Sequence, residues 1–542
     1  MTEPAKSGRS AALVALGILA SRLVGLVRQR LLAHSLGNGV AAAIWSTATR
    51  IPNVLQNLLG EGVLSASFIP VYAGLRAQKK DDEAREVAGA IFGILALVVS
   101  VIVGVGVLAT PALVSLIASE FEGATRALTI SMVRLIFPAT GVLVLSAWCL
   151  GILNSHQRFF LSYAAPVAWN GVIIAVLVIF RHESQNALVE WCAWGFVVGS
   201  VAQFAVQLPS VWRVLGRFSP RPSLEAASVR QVVKGFVPAL VARGVVNVSS
   251  LVDLAYAGLI DPRAVSTLTN AQTIALLPVS LFGMAISAAE LPQMSADAVK
   301  STDERAKALR DRLAAGLGRL AFFLVPSAVA FIALGDLISG VLLESGRFTA
   351  ADSRLIWYVL LGSGVALGAQ TSGRLYSSAF YALKDTRTPL KFATLRVGLG
   401  IALGYYAVRI LPGQLGLPVD LGVVFITVTT GVTAWVEYTL LRRALTREIG
   451  VVPRNRSQTV RVWVAAVVAG AGALGVKVAL TARFGAREVG EWGGTVLAPP
   501  ALPVLPTSLG LLGLFCAIYG LGCLSLGVTQ ASALVRRVLR RR

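Results

Sequence analysis

The chain has 542 residues, 55% apolar and only 14% charged, against roughly 25% charged in soluble globular domains, which excludes an ordinary water-soluble enzyme. Its net charge of +22 comes from 49 Lys and Arg against 27 Asp and Glu. With a mean hydropathy of +0.72, that balance points to basic loops of a membrane protein rather than to nucleic acid as a partner.

Apolar runs between polar breaks predict spans at 11–33, 40–74, 87–118, 128–153, 160–180, 187–211, 235–260, 265–294, 314–343, 355–382, 392–411, 421–441, 462–482 and 507–529. The expected fold class is an all-α polytopic membrane protein of about fourteen transmembrane helices. Span 1 carries Arg22 and Arg28 and runs past the length of a signal core, so it is expected to stay as the first helix. In span 2, Pro52 and Gly60-Glu61-Gly62 predict a bent or broken helix, tolerable where freed backbone lines a cavity. Span 2 (RIPNVLQNLLGEGVLSASFIPVYA) and span 8 (TIALLPVSLFGMAISAAELPQMSA) share an early proline, a glycine, small residues and a late proline. That likeness predicts two pseudo-symmetric six-helix lobes around a central cavity. The lobes are 1–215 and 216–445, followed at 446–542 by two further helices and a basic cytoplasmic tail.

Alternate connectors face opposite sides of the bilayer. One set, with both termini, holds 31 Lys and Arg and the other only 7, so both termini are expected in the cytoplasm. The tail VRRVLRRR reads as a polybasic segment beside anionic lipid. Cys149, Cys192, Cys516 and Cys523 all fall in apolar runs without metal-ligand spacing and are expected to be core residues.

The remaining 11 basic residues lie inside the spans. Arg30, Arg319, Arg396, Arg409 and Lys477 sit near span ends, where long side chains snorkel to the headgroups. Arg22, Arg28, Arg50, Arg134, Arg243 and Arg374 look central, where an Arg costs about 2.5–3.5 kcal/mol on insertion scales. In span 1, Ser21, Arg22, Gly25, Arg28 and Gln29 share one face; in span 2, Ser46, Arg50, Asn53, Asn57 and Glu61 do; in span 7, Arg243, Asn247, Ser250 and Asp253 do. Buried pairs such as Glu61 with an Arg of span 1, or Asp253 with Arg243, would make these charges purely structural. Against that stands the count: six central cations face three anions, Glu61, Asp253 and Glu290. Surplus guanidinium suits a phosphate-bearing headgroup, through paired hydrogen bonds. Arg22, Arg28, Arg50, Arg134, Arg243 and Arg374 are therefore the expected substrate-binding residues, with Glu61, Asp253, Asn247 and Ser21 in gating or charge pairing.

Enzyme chemistry finds little support. His34, His156 and His182 lie near span ends, no metal-binding pair has helical spacing, and Asp81-Asp82-Glu83 reads as a solvated charge run. No catalytic residue, metal or cofactor is expected. The rival classes are a cation-coupled drug exporter, which would keep acidic residues for its cargo, and a scaffold that only assembles other proteins, which would not need polar stripes through the bilayer.

Several stretches together resemble the MurJ (MviN) family of lipid II flippases, within the superfamily of multidrug and polysaccharide exporters. They are SRLVGLVRQRLLAHSLG, RIPNVLQNLLGEGVLSASFIPVY, GILNSHQRF with APVAWN beyond it, VNVSSLVDLAYAGLI, ESGRFTAAD and FYALKDTRTPLK. The resemblance implies outward movement of lipid II, an undecaprenyl-diphosphate-linked glycopeptide, across the bacterial cytoplasmic (inner) membrane by alternating access. It implies membrane lipids and cell-wall synthesis enzymes as further partners, and a lipid-tail groove formed by spans 13 and 14. Arg22, Arg28 and Glu61 fit the family's functional positions, and Arg50, Arg134 and Arg374 stand where it commonly has a basic residue. Ala43, Gln56 and Gln272-Thr273 depart from it, leaving the N-lobe site retained and the C-lobe site altered, with Arg243 expected to compensate in span 7. Those departures leave another lipid-linked glycan open as the cargo.

Overall fold

The computed structural model describes residues 4–156, 158–216, 218–298, 300–418, 421–487 and 498–539. Among them, every long element is a helix, and the chain divides into two compact units, Met1–Val265 and Ser266–Arg542.

The first unit contains α1 (Pro4–Leu36), α2 (Val40–Leu59), α3 (Glu61–Ala77), α4 (Asp81–Ile117), α5 (Gly123–Ser155), α6 (Phe159–Ile179), α7 (Gln185–Leu215) and α8 (Ala227–Gly258). Span 2 is broken as its sequence predicts, between α2 and α3. The break needs a glycine: at Gly60 (φ −84°, ψ −147°) an added Cβ would lie 2.2 Å from the Gln56 carbonyl oxygen. The Gly60 N–H still donates to that oxygen at 2.8 Å, so the chain changes direction without orphaning it. Around the break, α3 packs on α5 and α8, and the core gathers Leu64, Phe68, Ile91, Trp148 and Val229. α8 packs on α2, α3 and α4, and the compact unit extends to Val265.

The second unit contains most of α9 (Pro262–Pro278), a π-helical stretch Val279–Met284, α10 (Ala285–Asp297), α11 (Thr302–Leu343) and α12 (Ala350–Ala382). It continues through α13 (Arg387–Tyr405), a second π stretch Tyr406–Ile410, α14 (Leu411–Gln414), α15 (Gly422–Ile449), α16 (Arg456–Phe484), α17 (Val504–Ser525) and α18 (Thr529–Leu539). Span 8 is thus interrupted like span 2, by a widened turn following Pro278. In α11 the helix kinks at Leu334 (φ −134°, ψ 20°), and the Trp357 indole donates to the Ile332 carbonyl at 2.9 Å. α16 offers Ala465, Ala466, Ala469 and Ala473 to α11 and α17, the small-residue face that lets membrane helices approach closely.

Among the described residues, eleven helical segments are long and apolar enough to cross a membrane. The other three predicted spans are helical as well, as α1, α6 and α8, but do not belong to that set.

Two family-like motifs turn out to build helix starts. In ESGRFTAAD the Thr349 hydroxyl accepts from the Asp352 N–H while the Asp352 carboxylate accepts from the Thr349 N–H, a capping box opening α12. In FYALKDTRTPLK the Asp385 carboxylate accepts from the N–H groups of Arg387 and Thr388 at the start of α13.

Candidate functional site

The best defined charged site of the first unit lies where α1 packs on α6. Arg28 lies in α1, half-buried, with its guanidinium carbon 4.6 Å from the centre of the Trp169 ring. Its Nε is buried and has no hydrogen-bond partner. A guanidinium over an aromatic face gains about 0.5–2 kcal/mol and, unlike an ion pair, stays a full positive charge. Trp169 is itself braced from α7: the Phe196 ring meets it edge-on, with centroids 5.1 Å apart and planes at 87°. The next residue, Asn170, is buried, donates to the Pro166 carbonyl at 2.8 Å, and has an orphaned Oδ1 on the side of Gly25 in α1.

About two turns before Arg28, Ser21 is half-buried and Arg22 exposed. Arg50 in α2 is half-buried and interacts electrostatically with Asp253 of α8. Asn247 is half-buried on the same helix, where its carbonyl accepts from the Ser250 hydroxyl at 2.9 Å. Arg134 is exposed on α5. The side chains of Glu61 and Arg243 lie outside the described residues. Arg374 is exposed on α12 in the second unit, and of the predicted substrate residues it alone belongs there. Of the predicted set, then, the structure joins Arg50 with Asp253 and gives Arg28 a ring partner that sequence reasoning missed.

The second unit corrects the expectation of snorkelling. Lys477 does not reach for the headgroups: it is fully buried, with Nζ 2.6 Å from Asp336 Oδ2 on α11 and 5.0 Å from the centre of the Trp357 ring. Arg396 pairs with Glu437 of α15 at 3.0 Å, and Arg319 pairs with Glu290 of α10. Arg354, counted from sequence among the connector charges, is buried in α12 with its Nε donating to the Tyr358 hydroxyl at 2.9 Å. The inventory of three anions was therefore short by Asp336 and Glu437, each the lone carboxylate of its predicted span, 314–343 and 421–441. Glu290 is also not at large, being buried against Arg319 and Arg312.

Long apolar helices in two units, with spans 2 and 8 interrupted and guanidinium groups carried on the spanning segments, define an α-helical polytopic membrane protein. The chain belongs to the lipid II flippase MurJ family, whose profile matches residues 32–488. It is 31% identical over 412 residues to the lipid II flippase MurJ of Burkholderia cenocepacia, covering 75% of this chain and 79% of that protein. It is 27% identical over 534 residues to the probable lipid II flippase MurJ of Vibrio cholerae, covering 96% of each. The fold matches that of a lipid II flippase MurJ solved in an inward closed conformation, with TM-score 0.72 at 20% identity over 95% of this chain and 99% of that one. It also matches an inward-facing multidrug transporter of the MATE family, with TM-score 0.61 at 17% identity over 79% of this chain and 95% of that one.

Proposed function

We propose that the chain is a lipid II flippase of the bacterial cytoplasmic membrane, carrying the undecaprenyl-diphosphate-linked headgroup to the outer leaflet by alternating access of two lobes. In this reading the chain crosses the membrane fourteen times with both termini in the cytoplasm. The lobes are 1–215 and 216–445, and 446–542 adds two helices and a basic tail; cell-wall synthesis enzymes are partners downstream. Arg22, Arg28, Arg50 and Arg134 supply the cationic site from the first lobe and Arg243 and Arg374 from the second, with Glu61, Asp253, Asn247 and Ser21 tuning it.

The observation that carries the reading is Arg28, a guanidinium on a long helix held by a ring rather than by a carboxylate. Its charge is left to an anionic guest, and planar guanidinium fits phosphate oxygens two at a time. The membrane potential acts on such a guest with about 2.3 kcal/mol per charge per 100 mV, and a negative interior drives an anion outward.

The test is flipping of lipid II in sealed vesicles containing the purified chain. Arg28→Ala is expected to abolish transport while the protein keeps its melting temperature, and collapse of an inside-negative potential is expected to slow the unmodified protein. Full activity of the variant would overturn the assignment of Arg28. Depletion in cells is expected to trap the lipid-linked precursor on the cytoplasmic face; accumulation of a different lipid-linked glycan would overturn lipid II as the cargo.

A further inference from the structure

We propose that Trp169 is a positioning residue for Arg28: its indole face holds the guanidinium plane so that the terminal amino edge meets a diphosphate, and α7 sets the angle of that plane. This inference rests on the flippase reading above and adds to it how the cation is aimed.

The geometry runs outward from α7. Gly199 leaves room for Trp169: an added Cβ would lie 2.9 Å from the indole Cδ1 and 3.0 Å from the Trp169 carbonyl oxygen. Three residues earlier on the same face, Phe196 sets its edge against the Trp169 ring at 5.1 Å, and Trp45 of α2 meets Phe196 in turn at 6.5 Å. The indole is thus fixed by contacts from α7, and Arg28 lies 4.6 Å from the ring centre. On the guanidinium itself, Nε is buried and unpartnered. Nη1 and Nη2 are not among the buried unpartnered atoms, so that pair is the edge left to meet a ligand.

The indole Nε1 is likewise buried without a partner. A buried, unpaired donor costs about 1–3 kcal/mol, so a side chain chosen only to fill this space would be better without it. What Trp supplies beyond Phe is the strongest cation-binding face among the aromatic residues. The arrangement therefore favours ring electronics over hydrogen bonding as the reason for tryptophan here, and that is separable by experiment.

The test places mono-, di- and tetrafluorotryptophan at position 169 by nonsense suppression, which drains the face of the ring at nearly constant shape. Binding of farnesyl diphosphate and farnesyl monophosphate to the full chain in nanodiscs is then measured, with melting temperature alongside. Diphosphate affinity is expected to fall stepwise with fluorine, by about 2- to 30-fold across the series. The preference over monophosphate is expected to narrow while the melting temperature holds. Trp169→Phe, which discards the orphan N–H but keeps a weaker face, is expected to fall within the series.

A flat fluorine series overturns the proposal, as does wild-type protein that fails to bind the diphosphate, or a loss that follows melting temperature instead of fluorine. Wild-type protein that shows the fluorine trend but does not flip lipid II in vesicles overturns the flippase reading and leaves the positioning role. Flipping with a flat series does the reverse.

Discussion

In the second unit, three cations on membrane helices each meet a carboxylate from a neighbouring helix: Arg319 with Glu290, Arg396 with Glu437 and Lys477 with Asp336. In the first unit, Arg22, Arg28 and Arg134 have no carboxylate within ion-pair distance among the described residues, and Arg28 rests on an indole. The difference separates two uses of charge in a bilayer. A pair neutralises itself and staples two helices, so its removal is felt as lost stability. A cation held by a ring keeps its field, so its removal is felt by whatever anion it serves.

The contrast is broken most directly at Lys477 and Asp336, whose side chains are 0% and 2% exposed. Replacing one partner leaves a buried charge alone, so Asp336→Asn or Lys477→Met is expected to cost about 3–5 kcal/mol, read as a fall in melting temperature in detergent. Asp336→Leu combined with Lys477→Met removes both charges, together with the orphaned Asp336 Oδ1, and is expected to recover most of that loss. Single variants as stable as the parent would show that these charges are not paired in the membrane, and the comparison between the units would fail.

A smaller effect is expected at the interrupted spans, which differ in kind. Span 8 widens into a π stretch whose Gly283 is crowded by a neighbouring side chain, an added Cβ lying 2.7 Å from Thr371 Cγ2, whereas in span 2 an added Cβ at Gly60 meets the chain's own backbone. Gly60→Ala drives a methyl into the Gln56 carbonyl, an overpacking expected to cost about 1–3 kcal/mol unless α2 and α3 straighten into one helix. Pulsed electron spin resonance between labels on α2 and α3 distinguishes the outcomes: a longer distance means straightening, and an unchanged distance with unchanged stability would show that the break does not need its glycine.

Much of this was legible from the chain. Hydrophobic runs located the helical segments because lipid demands internal backbone hydrogen bonding over a fixed length. The break at Gly60 was legible because glycine and proline act locally. Partners were not. Asp336 and Glu437 stand alone in long apolar runs, and a reading of stripes passes over single residues; the usable signal was an isolated charge of each sign in two different spans, Asp336 against Lys477. Trp169 and Phe196 read as ordinary apolar residues, since the side chain that meets another across a helix interface depends on packing, which periodicity within one helix does not encode. The same limit hid the electrostatic interaction of Asp253 with Arg50.

The smallest effect concerns charge at the membrane edge of the first unit. At the end of α5, His156 Nε2 lies 3.0 Å from the Tyr72 hydroxyl, while Arg76 donates to the Ser155 carbonyl at 2.9 Å. Burial, and then the nearby cations Arg76 and Arg158, push the His156 imidazole down from 6.5 to about 4. Folding therefore selects the neutral ring. As pH falls below about 6.5 the unfolded chain takes up this proton first, so stability is complete above that value and drains away toward pH 4. The loss stays below the roughly 1.4 kcal/mol per pH unit of one fully coupled proton, because the half-buried ring is partly screened by solvent. His156→Gln keeps a polar contact for Tyr72 without titrating, so its melting temperature is expected to fall less steeply than the parent's between pH 6.5 and 4. Equal slopes would mean that His156 is protonated beside Arg76 in the folded protein, and that this unit tolerates adjacent cations at its rim as well as within its helices.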